Sequence, residues 1–343
     1  MLKIILKNEE VNSMLKEAQV YCKKLSVAIL LICIVLFVVS YGGAASSESE
    51  KRYNLIIGGG GLGGTYFPLA GAIARVLTKE LPNVNVSAQS TGAGIENIML
   101  IERGEIELGL TQNDLAQYAY EKQYMFDEEY KRGQAIARLY PEVIQIFVRK
   151  NSGIQSINDI KGKRVSVGYA GSGMYANSTQ IIDLFGLTDD IRAEQLDNVD
   201  AANRMKDGLI DVIFRTTSAP NAGLLELAFS VDIDVLSFSD EEIKKLKDKY
   251  PFFSEYTIPA NTYQGQTAEV RTVSVHSVLI CQKELDEELV YDITKTIWKQ
   301  REQLVSMIAA LKDMDPENPL LGVTIDVHPG AKKYYEEIGM WKK

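Results

Sequence analysis

The sequence predicts an α/β protein of two lobes, each a mostly parallel sheet with helices on both faces. Three observations carry that reading. Short apolar runs alternate with segments whose apolar residues recur at helical spacing. Glycine or small polar residues stand wherever such a run hands over to a helix. The alternation occurs twice, on either side of the β-rich run Val143–Arg149, and a later run, Val273–Cys281, suits a return crossing to the first lobe.

The elements follow in order. Tyr53–Ile57 reads as a strand and leads into the loop Gly58–Gly64. Pro68 fits a first helical turn, where its missing N–H costs nothing, and Leu69, Ile73, Val76 and Leu77 continue at helical spacing. Val84–Ala88 is the next strand, Ser90–Gly94 its turn and Ile95–Arg103 its helix. Leu108–Leu110 follows, with Asp114 placed to cap the helix carrying Ala116 and Ala119. In the second half, Val165–Gly168 precedes the turn Tyr169–Tyr175, and Ile210–Arg215 precedes the turn Thr216–Asn221. Val235–Phe238 is one more strand, and Glu287–Leu311 a long helix. The predicted division is lobe 1 from 52–145 and 278–343, and lobe 2 from 146–277.

The N-terminal region has the pattern of a signal peptide. Lys16, Lys23 and Lys24 form a basic flank, Leu25–Ser40 is an uncharged apolar run, and Gly42–Ser47 are small residues. Cleavage is expected after Ala45, with Met14 an alternative start and an uncleaved anchor the competing reading, although the run is a little short of a bilayer span. Cys33 lies inside the apolar run after a bulky Ile32, which argues against lipidation. The expected location is therefore extracytoplasmic, in the periplasm or at the cell surface.

Composition narrows the partners. The chain has 37 basic and 46 acidic residues. Residues 46–343 keep 32 and 43 of them, a net charge of −11. An acidic surface disfavours nucleic acid, whose binding depends on neutralising phosphates. Cys281 would stand alone in the exported part, so no intrachain disulfide is expected there. His276 and His328 are the only histidines, which excludes a histidine-rich metal site. No catalytic set, metal or cofactor is expected.

Gly59, Gly61 and Gly64 satisfy the dinucleotide fingerprint G-x-G-x-x-G, and Glu80 lies at a plausible distance downstream. The leader argues against that cofactor, because such dinucleotides are scarce outside the cytoplasm. A different use fits the whole set of turns. Five strand ends carry glycine, hydroxyl or amide residues: Gly63, Gly64 and Thr65; Thr91 and Gly92; Gln112 and Asn113; Ser172 and Gly173; Thr217 and Ser218. In open α/β sheets ligands bind beyond the carboxyl ends of strands, and free N–H groups at helix starts receive anions. Any one such turn needs only a glycine and a cap to fold. Five together suit a small carboxylate.

At these residues the chain resembles a known family. GGGGLGGTYFPLAGAIA, STGAGIENI, LGLTQNDLAQYAY, LYPEVIQIFVR, DIKGKRVSVGYAGSGMYAN, YPFFSEYTIPANTYQGQ and HPGAKKYYEEIG occur in register from Tyr53 to Gly339. Together they resemble the TAXI group of solute receptors of tripartite ATP-independent periplasmic (TRAP) transporters. The resemblance implies a type II periplasmic-binding-protein fold with a ligand cleft between closing lobes. It implies delivery to an integral membrane permease driven by an ion gradient, with glutamate or 2-oxoglutarate-like dicarboxylates as ligands. Carried over, the site comprises Gly63, Gly64, Thr65 and Tyr66; Thr91 and Gly92; Gln112 and Asn113; Ser172, Gly173 and Met174; and Thr217, Ser218 and Pro220. Asn113 stands where the family often has serine, and Thr216–Pro220 departs from its usual ending. Arg215 occupies a strand end expected to be apolar. It reads either as an ion pair at a lobe edge or as a cationic partner for a second carboxylate.

Other features read as structural: Tyr118, Tyr120 and Tyr124 as packing or surface residues, Glu241–Lys249 as a solvated helix face, Asp313–Pro319 as a surface loop, Trp298 as core and His328 as part of a loop. Two alternatives to the receptor remain: a ligand-binding sensor or surface antigen without a permease, and an enzyme on the same fold.

Overall fold

In a computed structural model of the chain, the described residues are Met14, 16–25, 51–169 and 171–341. Met14 and 16–25 are helical. The rest of the expected leader, with its cleavage point after Ala45, lies outside the described residues. The chain divides into two units at Lys51 and Arg52. Among the described residues no helix is long and apolar enough to cross a membrane.

The unit from Arg52 onward is organised on one ten-stranded sheet in the order β2-β1-β3-β10-β4-β7-β5-β6, with β8 also paired to β4 and β9 to β10. The strands are β1 (Tyr53–Gly58), β2 (Val84–Gln89), β3 (Leu108–Gln112), β4 (Gly133–Arg149), β5 (Arg164–Ser166), β6 (Arg192–Glu194), β7 (Val212–Thr217), β8 (Ile233–Val235), β9 (Ser254–Ile258) and β10 (Val270–Gln282). The sheet is parallel in its wings, β2-β1-β3 and β7-β5-β6. Its middle is antiparallel, because β10 runs against β3, β4 and β9 and β4 runs against β7 and β8. This corrects the mostly parallel expectation: two long strands traverse the sheet and reverse its sense.

Those two strands are longer than their apolar runs suggest. β4 has 17 residues and is buried from Ala135 to Val148. Pro141, which has no N–H to give the ladder, stands opposite His276 beside a register shift between His276 and Val278.

Helices cover both faces: α1 (Tyr66–Glu80), α2 (Gly94–Arg103), α3 (Asn113–Tyr120), α4 (Gly173–Leu184), α5 (Asn198–Lys206), α6 (Ala222–Ser230), α7 (Asp240–Lys249), α8 (Glu287–Lys299), α9 (Arg301–Met307) and α10 (Pro329–Glu337). Periodicity accounts for their packing. Leu69, Ile73, Val76 and Leu77 of α1 are fully buried against Ile57, Leu108, Val290 and Ile293. A separate cluster beyond β4 gathers Val148, Val165, Ile181, Phe214 and Leu246. Burying a side chain of this size contributes about 1.5–3 kcal/mol.

Local signals explain several boundaries and correct others. Ser239 and Glu242 form a capping box at α7, whose outer face carries the Lys244–Asp248 pair. Gln112, not Asp114, occupies the N-cap position of α3; the Asp114 carboxylate instead accepts from Asn177 Nδ2 of α4 at 2.8 Å. The expected helix 287–311 breaks at Gln300, where Arg301 turns to donate to the Lys312 and Met314 carbonyls. Trp298 is partly buried at the core edge and donates to Tyr335 Oη at 2.9 Å. His328 caps α10 through Nδ1, which accepts from Gly330 N.

Candidate functional site

The carboxyl ends of β1, β3, β5 and β7 converge on one cavity. It is lined by Gly64, Thr65 and Tyr66 from the first turn and by Gln112 from the third. Ser172, Gly173 and Met174 come from the turn before α4, and Arg215 and Thr217 from the end of β7. These nine residues were expected on sequence grounds. The space open to the centres of water-sized molecules is about 50 Å³. One water needs about 10–15 Å³ on that measure, so the cavity has room for several waters in this conformation.

The remaining expected residues have other contacts. Gly63 lies just outside, and its carbonyl accepts from Arg215 Nη2 at 3.2 Å. Thr91 Oγ1 is 3.1 Å from Gly59 O and 2.8 Å from Asn97 Oδ1, so it ties the glycine loop from below. Gly92 N donates to Glu96 at the start of α2. Asn113 bridges Gly322 O and His276 N. Ser218 Oγ is 3.0 Å from Thr65 Oγ1, and Pro220 O accepts from the same hydroxyl. None of these six lines the cavity. Tyr140, Glu142, Tyr169, Asn198 and Thr216 do, together with Gly60, Gly61, Ala93 and Gly94.

Glu142 is the main residue that sequence reasoning missed. It lies on β4 and is buried, with its carboxyl group accepting from Tyr66 Oη and, at 3.0 Å, from Gln112 Nε2. Burial raises its pKa to about 8, with the Tyr66 and Gln112 bonds opposing the shift. The signal was available: a Pro-Glu pair interrupts an otherwise apolar β-run. Gly173 completes this group, because a Cβ at that position would overlap Gln112 Oε1. The same Oε1 has no hydrogen-bond partner.

Arg215 faces this neutral-to-acidic network from β7. It is 4% exposed, and among the described residues its side chain makes one hydrogen bond, from Nη2 to Gly63 O. Among the described residues no carboxylate pairs with it, so the edge ion pair is not found. Asp197, Tyr169 and Tyr263 act on it only at a distance. Desolvation, the dominant influence, lowers its pKa to about 10, so it stays charged at neutral pH.

Backbone and hydroxyl contacts close the two sides together. Thr65 precedes α1 but makes no side-chain cap; its Oγ1 lies 3.0 Å from Thr217 Oγ1 instead. Ile95 N donates to Gly171 O at 3.3 Å. Gln180 Nε2 of α4 reaches Tyr118 Oη at 3.2 Å. Gln145, itself held by Tyr263 Oη at 2.5 Å, supports the Thr217 and Ser218 carbonyls from behind. Ser172 caps α4 by accepting from Tyr175 N, which leaves the first N–H groups of that helix directed at the cavity. Among the described residues no cluster of histidine, cysteine, aspartate or glutamate could hold a metal.

Comparisons with known proteins agree with this architecture. Residues 57–339 match the NMT1-like family. Among solved structures, the periplasmic binding protein BugD aligns over 86% of this chain and 99% of its own, with a TM-score of 0.54 and 13% identity. A periplasmic transporter structure aligns over 85% and 94%, with a TM-score of 0.51 and 13% identity. The periplasmic aliphatic sulphonate binding protein SsuA from Escherichia coli covers 83% and 84%, at a TM-score of 0.46 and 17% identity. The first two carry the fold: the chain has the α/β, two-lobe architecture of periplasmic binding proteins.

Proposed function

The chain belongs to the NMT1-like family, and from that premise we propose that it is an extracytoplasmic receptor for a small carboxylate. In this reading residues 52–145 and 278–343 form one lobe and 146–277 the other, with the solute enclosed between them. The observation that carries it is Arg215: a buried guanidinium in a cavity wall, bonded among the described residues to a single carbonyl and to no carboxylate. A buried charge of this kind is costly unless paired, and an anionic solute would supply the missing partner. The start of α4 adds N–H donors on the same side. Glutamate and 2-oxoglutarate are the candidates the TAXI resemblance offers, and a TRAP-type permease is the partner it implies. Binding across both lobes would favour the closed state by the ligand's differential affinity for it.

Thermal unfolding with a solute panel tests this. A dicarboxylate or acidic amino acid should stabilise the protein, by about 2.7 kcal/mol at a hundredfold excess over Kd. Stabilisation only by sugars or cationic amino acids would reject the carboxylate. Ser172→Trp should fill the cavity and abolish the shift with the fold intact. Unchanged affinity in that variant would place the ligand elsewhere. Mass spectrometry of a co-purified small molecule identifies the solute directly. A permease gene beside the receptor gene would favour transport over a stand-alone sensor.

A further inference from the structure

Behind the Gly63–Gly64 corner lies a second cavity, with about 110 Å³ open to water-sized centres, between α5 and α6. Gly63, Asn198, Ala202, Asn203, Lys206 and Arg215 are among its walls. Arg215 and Asn198 line the inner cavity as well. The two spaces are therefore neighbours, and the partition between them is formed by Asn198 and Arg215, which line both, with Gly63 on the outer side and Gly64 on the inner.

That partition is weakly held. Among the described residues its one cross-link is the 3.2 Å bond from Arg215 Nη2 to Gly63 O. Asn198 is 9% exposed, yet its Oδ1 has no hydrogen-bond partner. Gly63 sits at φ +74°, a left-handed conformation that glycine leaves at little cost. Shape and charge agree: Arg215 lines both cavities, and at the outer rim Lys206 pairs with Glu226 at 3.2 Å. The guanidinium is thus the deepest cation that an anion meets from outside.

We infer that the outer cavity is a vestibule through which a small carboxylate reaches Arg215 and passes into the inner site, with the Gly63 carbonyl, Asn198 and Arg215 as the gate. This rests on the proposed carboxylate function and adds an access route that does not require the whole cleft to open. A route of this kind controls rates and leaves the equilibrium alone, because blocking it obstructs loading and release equally.

The test uses Ala202→Cys and, on the exposed side of the same cavity, Asn203→Cys. Each is capped after folding with a bulky reagent that forms a reducible mixed disulfide, with radiolabelled glutamate as the probe. The unsubstituted protein treated identically corrects for its own cysteines. Capping should slow association and dissociation together, by about tenfold, with Kd changed by no more than about twofold. Reductant should restore both rates. Unchanged rates in both capped variants, or a weaker Kd with faster dissociation, would overturn the vestibule. If no dicarboxylate or acidic amino acid binds or stabilises the unsubstituted protein, the carboxylate reading fails first and the vestibule falls with it. If another of these binds in place of glutamate, it becomes the labelled probe.

Discussion

The two walls of the cavity differ in how completely their polar groups are used. On the wall from β1, β3 and β4, Tyr66 and Gln112 both donate to Glu142, and Thr91 and Asn97 fasten the glycine loop from beneath. On the wall from β7, Arg215 has one carbonyl. The carboxyl group of the first wall is bonded through both oxygens without a ligand, with Gln112 Oε1 left as an open acceptor, whereas the cation of the second wall meets only a carbonyl. A preorganised wall sets shape, and an unsatisfied one supplies the drive to bind.

The largest way to break this contrast is to remove the cation. Arg215→Met should weaken carboxylate binding by about 2–5 kcal/mol and should raise the melting temperature of the empty protein, since an unpaired buried charge is replaced by apolar volume. A calorimetric titration paired with ligand-free unfolding separates the two effects. A loss of stability with intact affinity would move the role of Arg215 from the ligand to the fold.

Gly173→Ala attacks the first wall. Its Cβ would displace Gln112 and strip one hydrogen bond from Glu142. Overpacking of this kind costs about 1–3 kcal/mol, to be read as a lower denaturant midpoint.

Glu142→Gln sharpens the comparison through pH. The folded protein holds the Glu142 proton up to about pH 8, whereas the unfolded carboxyl releases it near its ordinary value of 4.5. Ionising the buried group therefore destabilises the fold. Stability should be unaffected by this group below pH 4.5, fall as pH rises from there to about 8, and level off above. The glutamine variant should lose that part of the slope in a pH series of unfolding curves. An identical slope would show that the carboxyl is already ionised in the folded protein at neutral pH.

The smallest effect is expected at Thr65→Val, which removes the hydroxyl shared with Thr217 and Ser218. About 1 kcal/mol is expected, as a severalfold loss of affinity that leaves thermal stability nearly unchanged.

Much of the fold was legible because alternation and turn chemistry are local signals. β1, β2 and β3 and the helices after them lie within a few residues of their expected bounds. β6 has three residues, too short for any periodicity, and β8 (Ile233–Val235) meets the expected strand Val235–Phe238 only at Val235. β4 was read short because Pro141 and Glu142 look like a strand end; burial on both faces carries the strand through them. The site divides in the same way. Residues at helix starts announce themselves by type, so Gln112, Ser172 and Thr217 were named. Glu142 and Tyr140 sit mid-strand, where side-chain direction depends on register with β10, and Asn198 follows an Asp197 that reads only as a cap. Conversely, Thr91, Gly92 and Asn113 have the right chemistry, but neighbours within the fold already use it.

The pairing of β4 with β10 has a consequence for when the protein can form. β10 is the only partner joining β3 to β4, and it begins at Val270. A nascent chain that stops short of that point has both wings of the sheet but lacks the strand that joins β3 to β4. Contacts this distant in sequence make folding slow. The sheet is therefore completed only after synthesis has passed Val270, late in the chain.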